Sequence, residues 1–335
     1  MARYSDETLR GLLLEEAILY ILSRSGYVPI LNAGTDVTLL DGRSGLEVRG
    51  RGAWHQIDAV ADFSLVPPFS NPQRLLLEAK FRNSKTGIEI IRNATGVHKD
   101  VSENWVVDPA TVGKRTARKR YHYLYAVFSK EPFTKPAQDY AYAQDIYLLP
   151  LKRSAYFQTI IEAIDNVSFD GENKPSLKDI RKHVRNQLLD IYEDMPIANN
   201  SFLDGIREFV NICHLTGYGF MTMFDGRFPV FLSAGQGLDE LDIRPVNRVR
   251  IRVRDGNWFI EDRNGRRLFS FDLPEEIFRK YEESGSLTRQ SLARIKQEFM
   301  SDFYAYQVRD GRMRLIQFVI DQRWFDQVKE NLGMQ

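Results

Sequence analysis

The segment Arg74–Phe81, RLLLEAKF, constrains this chain most. Three consecutive leucines cannot be split between a wet and a dry face, so the run reads as a strand covered on both sides. Such a strand needs sheet neighbours and helices packed against them. The run ends in Glu78-Ala79-Lys80. Side chains alternate along a strand, so Glu78 and Lys80 point the same way. An acid and a lysine on one face of a buried strand are costly unless they pair or serve chemistry.

The surrounding pattern supplies the neighbours. Residues 5–25 predict a helix with an apolar side at Leu9, Leu12, Leu13, Ala17, Tyr20 and Ile21, capped by Ser5 or Asp6 and stopped by Gly26. Strands are expected at Val37–Leu40, Leu46–Arg49, Gln56–Leu65, Tyr121–Phe128 and Ile146–Leu149. Helices are expected at Ile88–Asn104 and Phe133–Ala143. Residues 166–178, NVSFDGENKPSLK, collect Asn, Asp, Gly, Ser and Pro and read as a boundary between a domain at 1–165 and another at 175–335. Beyond it, helices at 177–193, 201–213, 275–300 and 322–332 surround hairpin turns at Asp225-Gly226, Asp255-Gly256, Asn264-Gly265 and Asp310-Gly311. The second domain is therefore expected to be α+β.

Composition narrows the chemistry. With 46 Lys and Arg against 45 Asp and Glu, the formal charge is +1, which excludes a histone-like polycation but not local basic patches. One cysteine, Cys213, excludes an internal disulfide and a four-cysteine zinc site. Any metal would then be held by carboxylates, which favour magnesium, with manganese as a substitute. No apolar run approaches the ~20 residues that cross a bilayer. The N-terminal stretch carries charges inside its apolar part, unlike a signal peptide. The expectation is a cytoplasmic protein with no membrane contact.

Asp58 lies twenty residues before Glu78, embedded in the strand candidate Gln56–Val60. Adjacent strands would bring Asp58 and Glu78 together as a divalent-metal site completed by water and a phosphate. Lys80 would orient or deprotonate a water, or stabilise charge on the phosphate. Asp62 is a fallback for Asp58 on the same face.

This constellation resembles the PD-(D/E)xK nucleases, and more narrowly their restriction-endonuclease-like Mrr branch. The opening Glu15-Glu16-Ala17-Ile18-Leu19-Tyr20-Ile21-Leu22-Ser23-Arg24-Ser25-Gly26-Tyr27 is similar to that branch's first helix, and Phe128-Ser129 through Phe133-Thr134 to Ile146 is similar to its closing strand–helix–strand. The resemblance covers about residues 9–150. It implies a restriction-endonuclease-like mixed sheet flanked by helices, and Glu15, with Glu16 as a one-residue alternative, as a catalytic glutamate. It departs from the pattern in having Ile57-Asp58 for Pro-Asp, and it leaves Arg92, His98 and Lys99 as candidates for a polar residue on the following helix.

Weaker candidates sit alongside. Gly50-Arg51-Gly52 lacks the Lys-Ser/Thr of a phosphate loop, and reads either as a simple turn or as backbone approaching DNA with Arg49 and Arg51 on phosphates. His55 could assist catalysis, though a lone histidine is more often structural. Cys213 reads as a buried thiol. Lys114, Arg115, Arg118, Lys119 and Arg120 form a basic cluster expected near the DNA entry. Arg248, Arg250, Arg252 and Arg254 alternate with Val249, Ile251 and Val253, giving one cationic strand face. Like charges there need acids on neighbouring strands or nucleic acid, with Arg250 and Arg252 as the DNA-facing candidates.

The expected function is a metal-dependent DNA endonuclease, in the bacterial restriction or phage-defence setting that the resemblance suggests. The resemblance also implies a homodimer, because cutting both strands needs two sites; residues 175–335 would recognise DNA or a partner protein. The alternatives are a repair, junction-resolving or transposition nuclease of the same fold, an enzyme acting on RNA, or a non-catalytic nucleic-acid-binding protein on a nuclease scaffold.

Overall fold

In the computed structural model, residues 4–43, 45–107, 117–152, 154–167, 175–189, 200–216, 219–234, 243–283, 285–309 and 312–334 are described. The chain divides into two compact units, Met1–Leu215 and Thr216–Gln335. Each is mixed in secondary structure. Among the described residues no helix is long and apolar enough to cross a membrane.

The first unit opens with helix α1 (Asp6–Arg24), whose cap is Ser5: its hydroxyl accepts the Thr8 N–H at 3.2 Å. Gly26, at φ 89°, turns the chain out of the helix. Then follow β1 (Tyr27–Ile30), β2 (Leu39–Asp41), β3 (Leu46–Arg49), β4 (Trp54–Gln56), β5 (Ala59–Phe63) and β6 (Gln73–Lys80). Helix α2 (Ile88–Ser102), short strands β7 (Val106–Val107) and β8 (Ala117–Arg118), β9 (His122–Ser129), α3 (Lys135–Ala143) and β10 (Ile146–Pro150) come next. Three helices end the unit: α4 (Ala155–Asn166), α5 (Leu177–Leu188) and α6 (Asn200–Thr216).

The central sheet has the order β1-β5-β6-β9-β10. Its first two pairings are antiparallel and its last two parallel. The leucine-rich β6 is its middle strand, as the lack of a wet face demands. One core joins Val60, Leu76, Tyr125 and Val127 of the sheet to Ile91, Ala94 and Val101 of α2 and Ala137 and Ala141 of α3.

Three expectations are corrected. The strand expected at Gln56–Leu65 is two strands. β4 belongs to a three-stranded sheet with β2 and β3, and β5 to the central sheet. Ile57 is anchored between them, 1% exposed, with its N–H on the Leu46 carbonyl. The expected helix 275–300 is likewise two helices. The boundary expected at 166–178 lies instead after α6, because α5 belongs with the first unit. There, Arg185 of α5 makes two bonds to the Glu16 carboxylate, at 2.8 and 2.7 Å. That contact also supplies the counter-charge that Glu16 needs, because it falls within the apolar stripe of α1, at i+4 from Leu12, and is 2% exposed.

The second unit holds β11 (Gly219–Phe224), β12 (Phe228–Ser233), β13 (Val246–Arg254), β14 (Asn257–Glu261), β15 (Arg267–Phe271), α7 (Glu275–Tyr281), α8 (Arg289–Phe299), β16 (Asp302–Arg309), β17 (Arg312–Ile320) and α9 (Gln322–Asn331). Its strands close a barrel in the order β11-β12-β15-β14-β13-β17-β16. The Asp225-Gly226 and Asp255-Gly256 turns have positive φ at both residues, 51° and 64°, then 50° and 81°, as type I′ hairpins require. Asp310-Gly311 lies outside the described residues. Alternate residues fill the barrel with aromatics, Phe220, Phe224, Phe269, Phe271, Phe303 and Phe318 among them.

Candidate active site

The β5–β6 register pairs Ala59 with Leu77, which sets Asp58, just before β5, level with Glu78. Asp58 is thus at the joint between two sheets and not within a strand. Its Oδ2 accepts the Ala79 N–H at 2.8 Å, fixing it to the backbone between Glu78 and Lys80. The Lys80 ammonium pairs with Glu78 Oε1 and reaches Asp58 Oδ2 at 3.9 Å. One nitrogen therefore contacts both carboxylates. Their side chains remain 22% and 16% exposed, so the cluster is open to solvent on one side.

Burial and then the Glu78 charge raise Asp58 above the usual carboxylate range, against the opposing pull of Lys80, the Ala79 N–H and Arg181. Two acids here resist being ionised together, and a cation relieves that repulsion. The Tyr125 hydroxyl of β9 donates to Glu78 Oε2 at 3.3 Å. Burial and then Glu78 hold that phenol well above its ordinary value, so it stays a donor.

Glu15, from the third turn of α1, is near enough to Asp58 for their charges to repel. Burial pushes it up to about 8; Arg181 pulls it down, while Asp58 and Glu16 raise it further. The Arg181 guanidinium pairs with Glu15, and a side chain at Gly45 would meet its Nη1 at 3.4 Å and the Ile57 carbonyl at 3.9 Å. Arg181 therefore stands beside the Asp58 joint. Its helix begins about a hundred residues after β6, and no local signal pairs it with Glu15. The one available hint was Arg181 and Arg185 at i, i+4, matching the adjacent acids of α1. Glu16, the one-residue alternative, is held by Arg185 at 2.7 Å and by Arg181 at 3.4 Å.

Other candidates fall elsewhere. Asp62 is held by Arg74, 2% exposed, through bonds of 2.7 and 2.8 Å, so the fallback is a structural ion pair. Arg92 pairs with Glu89 on the surface. His98 faces the Tyr123 carbonyl at 3.0 Å and sets its ring 6.4 Å from that of Tyr125. Lys99 is exposed. His55 sits 2.7 Å from Asp100, a structural contact. Asp100 also accepts the N–H groups of Gly52 and Ala53, and a Cβ at Gly50 would meet its Oδ2 at 1.9 Å. Close approach of this carboxylate explains the glycine at position 50, where DNA approach was one expectation. Arg51 pairs with Glu103 at 2.9 Å, and Arg49 lies over the Trp54 ring. Cys213 is buried, as expected.

The basic cluster is displaced from the site. Lys114 and Arg115 lie outside the described residues; Arg118, Lys119 and Arg120 are exposed and precede β9. β9 runs parallel to β6, with His122 beside Gln73 and Ser129 beside Lys80. Seven steps of ~3.3 Å put the cluster's end of β9 about 23 Å from the Lys80 end. The described part of the cluster therefore lies at the end of β9 away from Lys80. On β13, Glu261 supplies an acid expected of a neighbouring strand, 2.7 Å from Arg254 and 3.8 Å from Arg252.

Among the described residues no group of three or more His, Cys, Asp or Glu side chains is placed to hold a metal ion, so Asp58 and Glu78 are a two-donor set. No family model matches the chain, and no curated protein does. A solved structure described as a protein of unknown function, AF1548, is similar over 61% of this chain and 98% of its own, at 15% identity and a TM-score of 0.37. A likeness of that size carries no argument about fold or activity.

Proposed function

We propose that the first unit is a divalent-metal-dependent nuclease of the restriction-endonuclease-like kind, acting on DNA. The observation that carries this reading is the convergence of Asp58 and Glu78 on the single Lys80 ammonium at an open edge of the cluster. The donor set fits a hard cation, because two carboxylates of which one is driven towards its neutral form are relieved by positive charge. Asp58 and Glu78 would hold the ion, whose chemistry would be to polarise a phosphate oxygen and acidify water.

The chain's own groups divide the remaining work. The Ala79 N–H fixes Asp58, and the Tyr125 hydroxyl fixes Glu78. Lys80 donates to the phosphate oxygens as charge grows on them, while a water oxygen bonds to phosphorus and gives its proton to solvent, and the bridging oxygen leaves with its electron pair and takes a proton from solvent. Glu15 and Arg181 are hydrogen-bonded to each other beside Asp58, and the Arg181 charge helps hold the Asp58 carboxylate ionised. Cutting both strands of a duplex would take a second copy of the chain.

The test uses plasmid, single-stranded DNA and RNA, each incubated with and without magnesium. Magnesium-dependent cleavage by the parent, lost in Lys80→Ala while the circular dichroism is kept, is the expected result. Equal cleavage by folded Lys80→Ala, or a parent inert on all three substrates, would overturn the reading.

A further inference from the structure

The four-arginine face of β13 is only partly neutralised. Glu261 is shared by Arg254 and Arg252, and Asp321 is taken by Arg263 at 3.2 Å. Among the described residues Arg250 and Lys296 have no ion-pair partner. Lys296, in the last turn of α8, is 7% exposed. Its ammonium lies 5.6 Å from the Trp324 ring centre, and the Arg252 guanidinium lies 5.0 Å from the same centre. Two cations thus share one indole, itself 8% exposed, at the start of α9. The Nε–H groups of Arg250 and Arg252 are buried without an acceptor.

The carbonyl end of α8 favours a cation at Lys296, and the indole face contributes too. Neither explains a second cation brought to the same ring, nor the buried Nε–H of Arg250 left without an acceptor. Burial and then Arg252 pull Lys296 down to about 8, the direction expected of an ammonium lacking its counter-charge. An anion placed against Lys296 and Arg252 would answer all three features. Arg252 is 42% exposed, which leaves a route in from solvent.

We propose that the barrel carries an oxyanion site of the phosphate class, formed by Lys296, Arg252 and Arg250 on the β13–α8–α9 side. It is independent of the nuclease reading. The same chemistry could come from a free phosphate or from a nucleic-acid backbone. Several donors in fixed positions suit a tetrahedral oxyanion, while the cations on Trp324 compete with base stacking on that ring.

The experiment is titration of the full chain, without divalent metal, by inorganic phosphate, followed by calorimetry. Saturable binding is expected. Affinity should fall at least about tenfold in Lys296→Met and in Arg252→Gln, return in Lys296→Arg, and stay at the parent value in Arg92→Gln. A mixed-sequence oligonucleotide that competes with phosphate, and loses affinity in the same variants, would assign the site to a backbone. An oligonucleotide that does not compete would assign it to a small phosphate compound. A parent that shows no saturable phosphate binding, or a folded Lys296→Met that binds like the parent, overturns the proposal.

Discussion

Glu15→Gln should stabilise the protein at neutral pH, and the gain should depend on pH in a defined way. In the fold Glu15 is raised from an ordinary 4.5 to about 8. At pH 6 the unfolded chain has released that proton and the folded chain still holds it. Stability therefore falls as pH rises, by about 1.4 kcal/mol per unit, across the window from 4.5 to about 8. The contribution is fully present below pH 4.5 and lost once pH passes 8. The whole window is worth roughly 3–5 kcal/mol, the lower figure allowing for the 14% of the side chain that water still screens. Glutamine has no charge to desolvate and keeps an oxygen for Arg181, so its variant lacks this slope. Urea-unfolding free energies of parent and variant at pH 5, 6, 7 and 8 give the difference directly. The expected difference widens by about 2–4 kcal/mol from pH 5 to pH 8. A difference that is constant to within about 0.5 kcal/mol would refute the reasoning, and with it the claim that burial dominates at Glu15.

Arg74→Met leaves Asp62 and Asp36 without the guanidinium that contacts them at 2.7 and 3.0 Å, and should cost about 3–5 kcal/mol by urea unfolding at pH 7. Burial alone would raise Asp36, but its bonds from Thr38 and Tyr121, with Arg74, hold it down at about 2. The parent should therefore lose stability as pH falls from about 4 to 2, and part of that acid sensitivity should be missing from the variant. Gly50→Ala must displace the Asp100 carboxylate, 1.9 Å from the new Cβ, and should cost about 1–3 kcal/mol. Adding Asp100→Ala should bring little further loss, which a thermal-melt double-mutant cycle would reveal as strong non-additivity.

Much of the structure was legible because it depends on neighbours in sequence. The type I′ turns at Asp225-Gly226 and Asp255-Gly256 follow from residues that tolerate positive φ. The Ser5 cap and the Gly26 stop follow from the same local logic. Alternation along β6 puts Glu78 and Lys80 on one face whatever surrounds them. The leucine run demands a central strand, and the sheet order supplies one. The pairing of Asp58 with this strand was also anticipated, because only one antiparallel partner lies close before it.

What depended on distant partners was not legible. Nothing near Gln56–Leu65 shows that the chain changes sheets at Ile57, since that break is made by pairing with β3 on one side and β6 on the other. The basic residues before β9 were expected near the DNA entry, and nothing local says which end of the sheet they occupy. Parallel pairing of β9 with β6 sends them to the opposite end of the sheet. The barrel closes through a contact between Thr222 and Ala305, which no periodicity announces. Arg181 and Arg185 reach the α1 glutamates only after the chain has finished its sheet and returned. Backbone geometry is written residue by residue, so sequence fixes turns, caps and faces. The choice of which charge meets which across 166 residues is made by packing, because a buried acid needs a cation beside it and only the tertiary fold brings one there.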